Sequence, residues 1–306
     1  MYLHPRDIDY FLAIASHGRL SAAAAACGVS QPALSKAIQR LEADVGLALF
    51  ERGIHGSRLT SAGELFHASA VLLQAQHSDV ASLALELQAC HAGLLRIGTT
   101  SVTRHAPAAH ALVTLLKRRP ALRVTLHTGQ SDELNSAVEE GRLDLAVVPA
   151  YAGRPFSSKQ DELGRDVMVP VVRATHPLLK KRKLQMADLV GYSWAASASK
   201  STARQALTGF FSASALPAPQ ISLEFSYVTE AVLSMVAATD LIGFVPATMT
   251  ARGVGTDLGI LPLPELHLIR SIVLLSRPNA HWSPLMRAFR DELVTNMNRP
   301  GIIDPV

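Results

Sequence analysis

Apolar residues recur at helical spacing over the first 45 positions of the chain and predict three short helices. The first helix is predicted over Asp7–His17 and is followed by a glycine. The second is almost entirely alanine, is expected to be capped by Ser21, and ends after Ala26. A third helix begins behind Ser30, whose side chain suits an N-cap, and Pro32 lies just inside its start.

The second and third predicted helices form a helix-turn-helix over Leu20–Val45, in which the later helix normally enters the major groove of DNA. Four polar side chains share one face of that helix: Gln31, Ser35, Lys36 and Gln39. Glutamine can form paired hydrogen bonds to adenine, and lysine can donate to guanine or phosphate. The alternative interpretation is the solvated face of an ordinary three-helix bundle.

A β-hairpin wing is predicted after this helix, because two short strand-like segments flank a loop that contains glycine. The strands lie near Leu49–Glu51 and Leu59, and Arg52 and Arg58 bracket the loop. We expect both arginines to contact phosphates, which positions a protein on DNA and carries little sequence information.

A long helix without proline is predicted from Thr60 or Ser61, either of which can cap it, to about Ala92. Ser61 with Glu64 fits a capping box. Residues at seven-residue intervals form one apolar seam (Phe66, Leu73, Val80, Leu87) and a second, less apolar one (Ala62, Ser69, Gln76, Leu83, Cys90). This pattern favours pairing with a second copy of the helix. The alternative is packing against its own domain.

Beyond Gly93 the pattern changes to alternating strands and helices, which predicts mainly parallel sheets. The predicted strands are Leu94–Thr99, Leu122–His127, Leu145–Val148, Asp166–Arg173, Ser193–Ala196, Ile221–Phe225, Leu241–Val245 and Ser271–Ser276. The predicted helices are Arg104–Lys117, Ser131–Glu140, Ser201–Ser212, Thr229–Ala238 and Ser283–Met297. Two lobes are expected, with crossing strands near 150–165 and 258–270.

Ligands of open α/β sheets bind beyond the carboxyl ends of the strands, often at helix N-termini. Three hydroxyl-rich segments fall at such places, and two aromatic residues can add walls to the same site. The candidate effector-binding residues are Thr100, Ser101, Ser131, Ser199, Lys200, Ser201, Thr202, Tyr227 and Phe244. Together with free backbone N–H groups, they suit a carboxylate or another anion. The alternative is simple helix capping, which uses the same residue types.

Composition narrows the class of protein. The 306 residues are 48% hydrophobic and 18% charged, so the chain can bury cores, and its net charge is +4. The first 63 residues carry six basic and five acidic side chains, so DNA affinity depends on where the charges lie. Two cysteines, Cys27 and Cys90, fit neither a disulfide framework nor a zinc site. We expect no cofactor, no metal, no membrane span and a cytoplasmic, nucleoid-associated location.

Three motifs, VSQPALSKAIQRLE, LFER and RLTSAGE, occur in the order and spacing of the LysR-type transcriptional regulators, which the chain resembles. The resemblance implies that Gln31, Pro32, Ser35 and Lys36 face the groove and that Arg52 and Arg58 meet the backbone. Arginine is commoner in the family at the position of Lys36, and lysine lacks its planar fork. The full set of candidate DNA-binding residues is Ser30, Gln31, Pro32, Ser35, Lys36, Gln39, Arg52 and Arg58.

The resemblance also implies an architecture: an N-terminal all-α winged helix-turn-helix, a long linker helix, and a C-terminal α/β two-lobed domain like type 2 periplasmic binding proteins. The DNA-binding domain would span 1–60, the linker and dimerisation helix 61–92, and the effector-binding domain 93–306. Within the last, lobe I would comprise 93–160 and 268–306, and lobe II 161–267. The family dimerises through the linker helix and usually forms tetramers.

Together these features predict a transcription regulator that binds a two-half-site operator as a dimer or tetramer and responds to a small, anionic effector, with RNA polymerase as a further partner. One alternative is an enzyme, because Ser197 and Lys200 form an S-x-x-K, but its accompanying K-T-G is absent. A solute-binding protein is disfavoured by the N-terminal 92 residues. A thiol redox sensor is disfavoured because both cysteines lie outside the predicted lobes.

Overall fold

The computed structural model describes residues 3–53, 56–88, 93–100, 107–250, 257–278 and 280–297, and the chain divides into two compact units. The first is formed by residues up to Gln88 and the second mainly by the residues that follow. The elements of the first unit are α1 (Pro5–His17), α2 (Leu20–Ala26), α3 (Gln31–Val45), β1 (Phe50–Gly53), β2 (Gly56–Leu59) and α4 (Ser61–Gln88). The three short helices, the hairpin and the long helix thus follow the predicted order.

An aromatic cluster forms the centre of the first unit. Phe11 of α1 is fully buried, with its ring centroid 5.1 Å from that of Phe50 and 5.0 Å, edge-on, from that of Phe66. Ile14, Leu34 and the remaining buried apolar residues of α1 to α3 close around it. The wing and the start of α4 therefore pack on the same core as the helix-turn-helix.

The helix caps confirm part of the prediction and correct the rest. Ser30 caps α3, since its hydroxyl accepts a hydrogen bond from the Ala33 amide (3.4 Å). Of the two candidates for α4, Thr60 is the cap: its Oγ1 accepts from the Gly63 amide at 2.9 Å. Ser21 as a cap was wrong, because α2 begins at Leu20 and Ser21 lies inside it; the cap position is Arg19, which makes no side-chain cap bond.

Among its described residues, the second unit carries a nine-stranded sheet. Its strands are β3 (Gly93–Thr99), β4 (Leu122–Thr128), β5 (Leu145–Ala150), β6 (Lys159–Arg173), β7 (Ser193–Ser197), β8 (Gln220–Phe225), β9 (Ile242–Pro246), β10 (Leu258–Ile260) and β11 (Leu268–Ser276). Its α-helices are α5 (Pro107–Arg118), α6 (Ser131–Glu139), α7 (Thr202–Ala213), α8 (Glu230–Ala237) and α9 (Pro284–Met297). Four single-turn 3₁₀ helices lie at Pro177–Lys180, Met186–Leu189, Ala247–Met249 and Pro264–Leu266.

The sheet is mixed, which corrects the expectation of mainly parallel pairing. The strand order is β4-β3-β5-β11-β6-β9-β7-β8, with β10 beside β6. Both ends of this order are parallel, as strand–helix alternation predicts, but the central pairs β5·β11, β11·β6 and β6·β9 are antiparallel. The two crossing strands, β6 and β11, cause the difference. Each runs from one lobe into the other and lies antiparallel to its neighbours in the sheet.

The crossing strands β6 and β11 lie later in the chain than the predicted 150–165 and 258–270. The first is delayed because β5 continues to Ala150 and a turn closed by Tyr151 and Arg154 follows. They pair antiparallel from Lys159 to Met168 of β6, and the register shifts by one residue at Leu163, which is a β-bulge. Separate apolar cores lie on the two sides of this crossing, around Phe289 in lobe I and Trp194 in lobe II.

A buried histidine links the stability of lobe II to pH. His176 is fully buried, its Nδ1 accepts from the Leu178 amide (3.2 Å), and its ring packs on Tyr192. Its Nε2 has no hydrogen-bond partner within the described residues and lies 3.9 Å from a carboxylate oxygen of Asp240, which also pairs with Arg173. Burial, opposed by Asp240, lowers the pKa of His176 below its ordinary value of 6.5.

We therefore expect the second unit to lose stability as the pH falls from 7.5 to 5.5. The unfolded chain protonates this histidine near pH 6.5, whereas the folded chain does so only at a lower pH. The stability that depends on a neutral His176 is therefore fully present above pH 6.5 and is lost as the pH falls towards the folded pKa. The measurement is the urea midpoint, followed by tryptophan fluorescence. His176→Asn, which can keep the cap, should flatten the pH dependence, whereas His127→Gln at an exposed site should not. An unchanged slope in His176→Asn contradicts this assignment.

Candidate functional site

The recognition helix α3 presents a polar face over an apolar one. Its inner positions, Leu34, Ala37, Ile38 and Leu41, are buried. The predicted reading residues Gln31, Pro32, Lys36 and Gln39 are exposed, as is the capping residue Ser30, while Ser35 is half-buried. Within the described part of the chain no side-chain hydrogen bond is made by Gln31, Lys36 or Gln39, and exposed amide and ammonium groups on a helix suit contacts to base edges.

Side-chain contacts from both neighbouring elements fix the direction of α3. Arg40 donates to Asp7 of α1 through Nε (2.9 Å) and Nη2, and the Asp7 carboxylate is buried. Glu42 accepts from the amides of Leu49 (2.8 Å) and Phe50 (3.1 Å) at the start of the wing. Arg40 is therefore a structural cation, because the Asp7 carboxylate raises its pKa and holds its guanidinium. These contacts lie near the C-terminal end of the helix, whereas Gln31 and Pro32 at its N-terminal end are exposed.

The wing is a four-residue antiparallel pair in which Glu51 faces Arg58 and Arg52 faces Ser57. Arg58 is exposed. The amide of Ser57 donates to the carbonyl of Gly18 (3.0 Å), which ties the wing to the turn after α1. Residues 54–55 and the side chain of Arg52 lie outside the described residues, so the role predicted for Arg52 stays a prediction.

The long helix α4 has two different surfaces. Near its start, Phe66 and Ala70 pack on the helix-turn-helix, so the assignment of Phe66 to a pairing seam was wrong. Farther along, Leu72, Leu73 and Val80 are exposed, as is Leu65 nearer the start. The side chain of Leu87, and Cys90, lie outside the described residues. An apolar stripe in water on a long helix is typical of a surface that pairs with another helix.

A cavity of about 430 Å³ lies in the second unit, and we call it the interlobe cleft. Its lining follows the carboxyl ends of β3, β4, β5, β7, β8 and β9, where the strand–helix pattern predicts a ligand site. The residues lining it are Thr100, Gly129–Asp132, Pro149, Tyr151, Arg154–Phe156, Met168, Ser197, Ala198, Lys200–Ala203, Phe225–Val228, Pro246, Met249 and Arg270. Both lobes contribute to it.

Six of the nine predicted effector-binding residues lie in this lining: Thr100, Ser131, Lys200, Ser201, Thr202 and Tyr227. Ser199 is not in the lining, and Ser101 lies outside the described residues. Phe244 is buried in the core of lobe II beside Trp194 and so forms no wall of the cleft; Phe225 lines the cleft instead. Strand β9 turns its Phe244 side chain away from the cleft, a direction that composition alone does not give.

Arg270 is the residue that sequence reasoning missed most clearly. It stands opposite Asp166 in the β11·β6 register and donates to that carboxylate through Nη2 (2.6 Å) and Nε (3.2 Å), and to the Tyr151 hydroxyl (3.4 Å). Burial lowers the pKa of the Arg270 guanidinium, but Asp166 and Tyr151 outweigh it and raise the pKa overall. A single charge inside the apolar segment LHLIRSIVLL was the available signal.

Arg154 is the second residue missed. From the turn after β5, its guanidinium donates to Thr202 Oγ1 (3.1 Å) and Gln205 Oε1 (2.9 Å) at the first turns of α7. Ser201 caps α7 by accepting from the Arg204 amide (3.2 Å), and its hydroxyl also bonds Ser197 (2.7 Å). The S-x-x-K serine thus bonds another serine and not the Lys200 ammonium. Arg154 joins lobe I to lobe II across one side of the cleft.

Tyr227 and residues of the first turn of α6 line the same cleft. Burial raises the pKa of the Tyr227 phenol, and the charge of Glu133 raises it further. Tyr227 follows β8 in lobe II, whereas Glu133 follows β4 in lobe I. The phenol therefore stays protonated at neutral pH and offers a hydrogen-bond donor to the cleft.

Clustered metal ligands and long apolar helices are both absent from the residues that the structure describes. No group of three or more histidine, cysteine, aspartate or glutamate side chains there is placed to hold a metal ion. Nor does any helix there combine the length and the hydropathy that crossing a membrane demands.

Comparison with known proteins gives matches along most of the chain. The model of the lysR family of bacterial regulatory helix-turn-helix proteins matches residues 5–64, and the model of the LysR substrate binding domain matches residues 89–298. The HTH-type transcriptional regulator GbpR of Azospirillum brasilense is 31% identical over 242 residues, which cover 78% of this chain and 70% of GbpR.

Solved structures of low identity show the same fold. The crystal structure of ArgP from Mycobacterium tuberculosis superposes with a TM-score of 0.70 at 18% identity, covering 97% of this chain and 98% of ArgP. Full-length CbnR complexed with its target DNA gives a TM-score of 0.50 at 21% identity, covering 97% of this chain and 100% of CbnR. Each comparison spans both units of the chain.

Proposed function

The chain belongs to the LysR family of bacterial transcription regulators, and we propose that its control of transcription depends on a small molecule held in the interlobe cleft. LysR regulators bind DNA, and this chain carries both the family's helix-turn-helix and its substrate-binding domain. The observation that carries the proposal is the cleft itself. It lies at the carboxyl ends of the strands and is lined by hydroxyls and by the cations Arg154, Lys200 and Arg270. We infer an effector that carries at least one negative charge.

We infer further that the protein reads a two-half-site operator as a homodimer through α4 and assembles as a homotetramer. The exposed stripe of Leu65, Leu72, Leu73 and Val80 supports the pairing, because burying four such side chains is favourable. A ligand acts on such an assembly only if it favours one arrangement of the lobes over another.

The proposal is tested by footprinting on the DNA upstream of the protein's own gene, with and without candidate effectors. We expect a protected region of two half-sites whose extent or affinity changes when an effector is added. Absence of protection under every condition contradicts DNA control, whereas protection that no small molecule alters contradicts effector control alone.

Gln31→Ala should weaken binding to the operator by about 1–3 kcal/mol and weaken binding to random DNA much less. Gln31 is exposed at the first position of α3, where an amide can form two hydrogen bonds to a base edge, and its loss leaves the fold intact. The measurement is a pair of titrations, on operator and random DNA, at one fixed salt concentration.

Arg58→Ala on the exposed wing is the matched variant. A phosphate contact contributes to both DNAs, so its loss should weaken both titrations about equally. Equal losses for Gln31→Ala would show that Gln31 does not read sequence. A preferential loss at the operator for Arg58→Ala would assign base reading to the wing.

A further inference from the structure

Positive charge gathers at one side of the interlobe cleft. Lys200 immediately precedes the cap of α7 and is exposed, and no acceptor pairs with its ammonium within the described residues. Arg154 reaches the same helix start. The first turn of α7 contains no acidic residue, so the partial positive charge of its free N–H groups adds to both cations. This side of the cleft favours a carboxylate.

Negative charge gathers at another side. The first turn of α6 carries Asp132 and Glu133, and Asp132 is exposed and lines the cleft. Glu133 is already engaged, since its Oε2 accepts from the Gln130 amide (3.3 Å). The Asp132 carboxylate has no such partner among the described residues. A ligand anion placed here would meet a full negative charge, whereas an ammonium would be attracted.

The third cation of the lining, Arg270, does not change this distribution of charge. Arg270 is neutralised by Asp166, with both side chains nearly buried, so the pair contributes little net charge to the cleft. The remaining charges that line the cavity are Arg154 and Lys200 at the α7 side and Asp132 at the α6 side. A simple anion satisfies one side and is repelled by the other, and the reverse holds for a simple cation.

We propose that the effector is a small amino acid, whose carboxylate binds between Arg154, Lys200 and the start of α7 and whose ammonium binds beside Asp132. The inference rests on the proposed function, because it assumes that the interlobe cleft holds the effector. It narrows the ligand class from an anion to a zwitterion. The cavity of about 430 Å³ has room for such a molecule.

A purely structural role for Asp132 has to be distinguished from the proposed binding of an ammonium group. Aspartate in the first turn of a helix interacts favourably with the helix dipole, so Asp132 can serve α6 without touching a ligand. In that case its replacement would lower affinity for all ligands of the cleft alike. If Asp132 binds an ammonium, its replacement affects only ligands that carry one.

The test uses the purified full-length protein in thermal-shift and calorimetric titrations. The probes are the twenty standard L-amino acids with β-alanine, 4-aminobutanoate and 5-aminopentanoate, which sample different charge separations. Each is accompanied by its carboxylate lacking the amine and its amine lacking the carboxylate. We expect at least one amino acid to bind and both of its truncated partners to bind at least tenfold more weakly, which is the effect of losing one charged hydrogen bond.

Two variants test which residue binds the ammonium group of the amino acid and which binds its carboxylate. Asp132→Asn should weaken the amino acid about tenfold or more without weakening the des-amino carboxylate, and Lys200→Gln should weaken the amino acid and the des-amino carboxylate together. Asp257→Asn and Lys117→Gln, exposed charges outside the cleft, should leave all affinities unchanged.

The inference is overturned if des-amino carboxylates bind as tightly as amino acids, if no panel amino acid binds, or if Asp132→Asn affects both ligand classes equally. Footprinting measures operator binding independently, so failure here is distinguishable from failure of the proposed function.

Discussion

Gly63→Ala should abolish stable operator binding by unfolding the junction between the wing and α4. A β-carbon on Gly63 would lie 2.1 Å from the Leu49 carbonyl oxygen, 3.1 Å from its carbonyl carbon and 3.2 Å from Leu59 Cδ2. The close neighbour is backbone, and it is fixed, because the Leu49 carbonyl accepts from the Thr60 amide (3.0 Å). The helix must therefore move away from the wing. We expect the free energy of unfolding of the first unit to fall by about 3 kcal/mol, which is at the upper end of the usual cost of overpacking a core.

The measurement is hydrogen exchange of peptides from α1 to α4 in the full-length protein, together with operator binding by gel shift. Exchange should quicken in these peptides and not in those of the second unit. Gly209→Ala is the matched control: Gly209 lies in α7, and apart from its own helix backbone and chain neighbours no atom of the described residues lies within 4 Å of its β-carbon position, so alanine should stabilise the helix by about 0.5–1 kcal/mol. Wild-type exchange and DNA binding in Gly63→Ala would refute this packing.

Asp166→Ala should destabilise the second unit by about 3–5 kcal/mol, because it leaves the nearly buried Arg270 guanidinium without its partner. The Asp166 carboxylate also accepts from the Val167 amide (2.8 Å), so a backbone donor loses its acceptor in the same change. The urea midpoint, followed by tryptophan fluorescence, measures the loss, since Trp194 is fully buried in lobe II.

Two variants separate this charge effect from a general effect of mutating β6. Asp161→Ala removes a more exposed carboxylate of the same strand, which pairs with Lys159 at 3.4 Å, and should change stability by about 0.5 kcal/mol or less. Asp166→Ala combined with Arg270→Met should recover much of the loss, because no unpaired charge remains. Equal losses in the single and double variants would mean that the cavity left by Asp166, not the charge, is responsible.

Periodicity predicted the helices and most strands because each element's apolar face follows the 3.6- or two-residue repeat of its own geometry. Ser30 and Thr60 were found for the same local reason, as caps act within three residues. Contacts between distant segments were not accessible in this way. Phe66 fits a seven-residue seam in sequence, yet it packs on Phe11, because the start of α4 is covered by its own domain.

The residues of the interlobe cleft divide in the same way, into those that local sequence predicts and those that depend on distant contacts. The hydroxyls after the strands were predictable, since a strand end followed by a helix N-terminus is a local pattern. Arg154 and Arg270 were not, because their value lies in partners 48 and 104 residues away, Thr202 and Asp166. The charge on each side of the cleft likewise depends on which helices begin there. Only the folded sheet brings the starts of α6 and α7 to the same cavity.

The bulge at Leu163 has a mechanical consequence for the two lobes. The chain passes between them in the paired strands β6 and β11, so any rotation of one lobe against the other is a torsion of this ribbon. Bulges carry extra twist, and this one lies close along β6 to Asp166, the partner of Arg270. A ligand that contacts Arg270 would therefore act on this ribbon close to its bulge. For the same twist of the ribbon, residues far from β6 and β11 move farther than residues that lie on them, so a change at the bulge is largest at the outer ends of the two lobes.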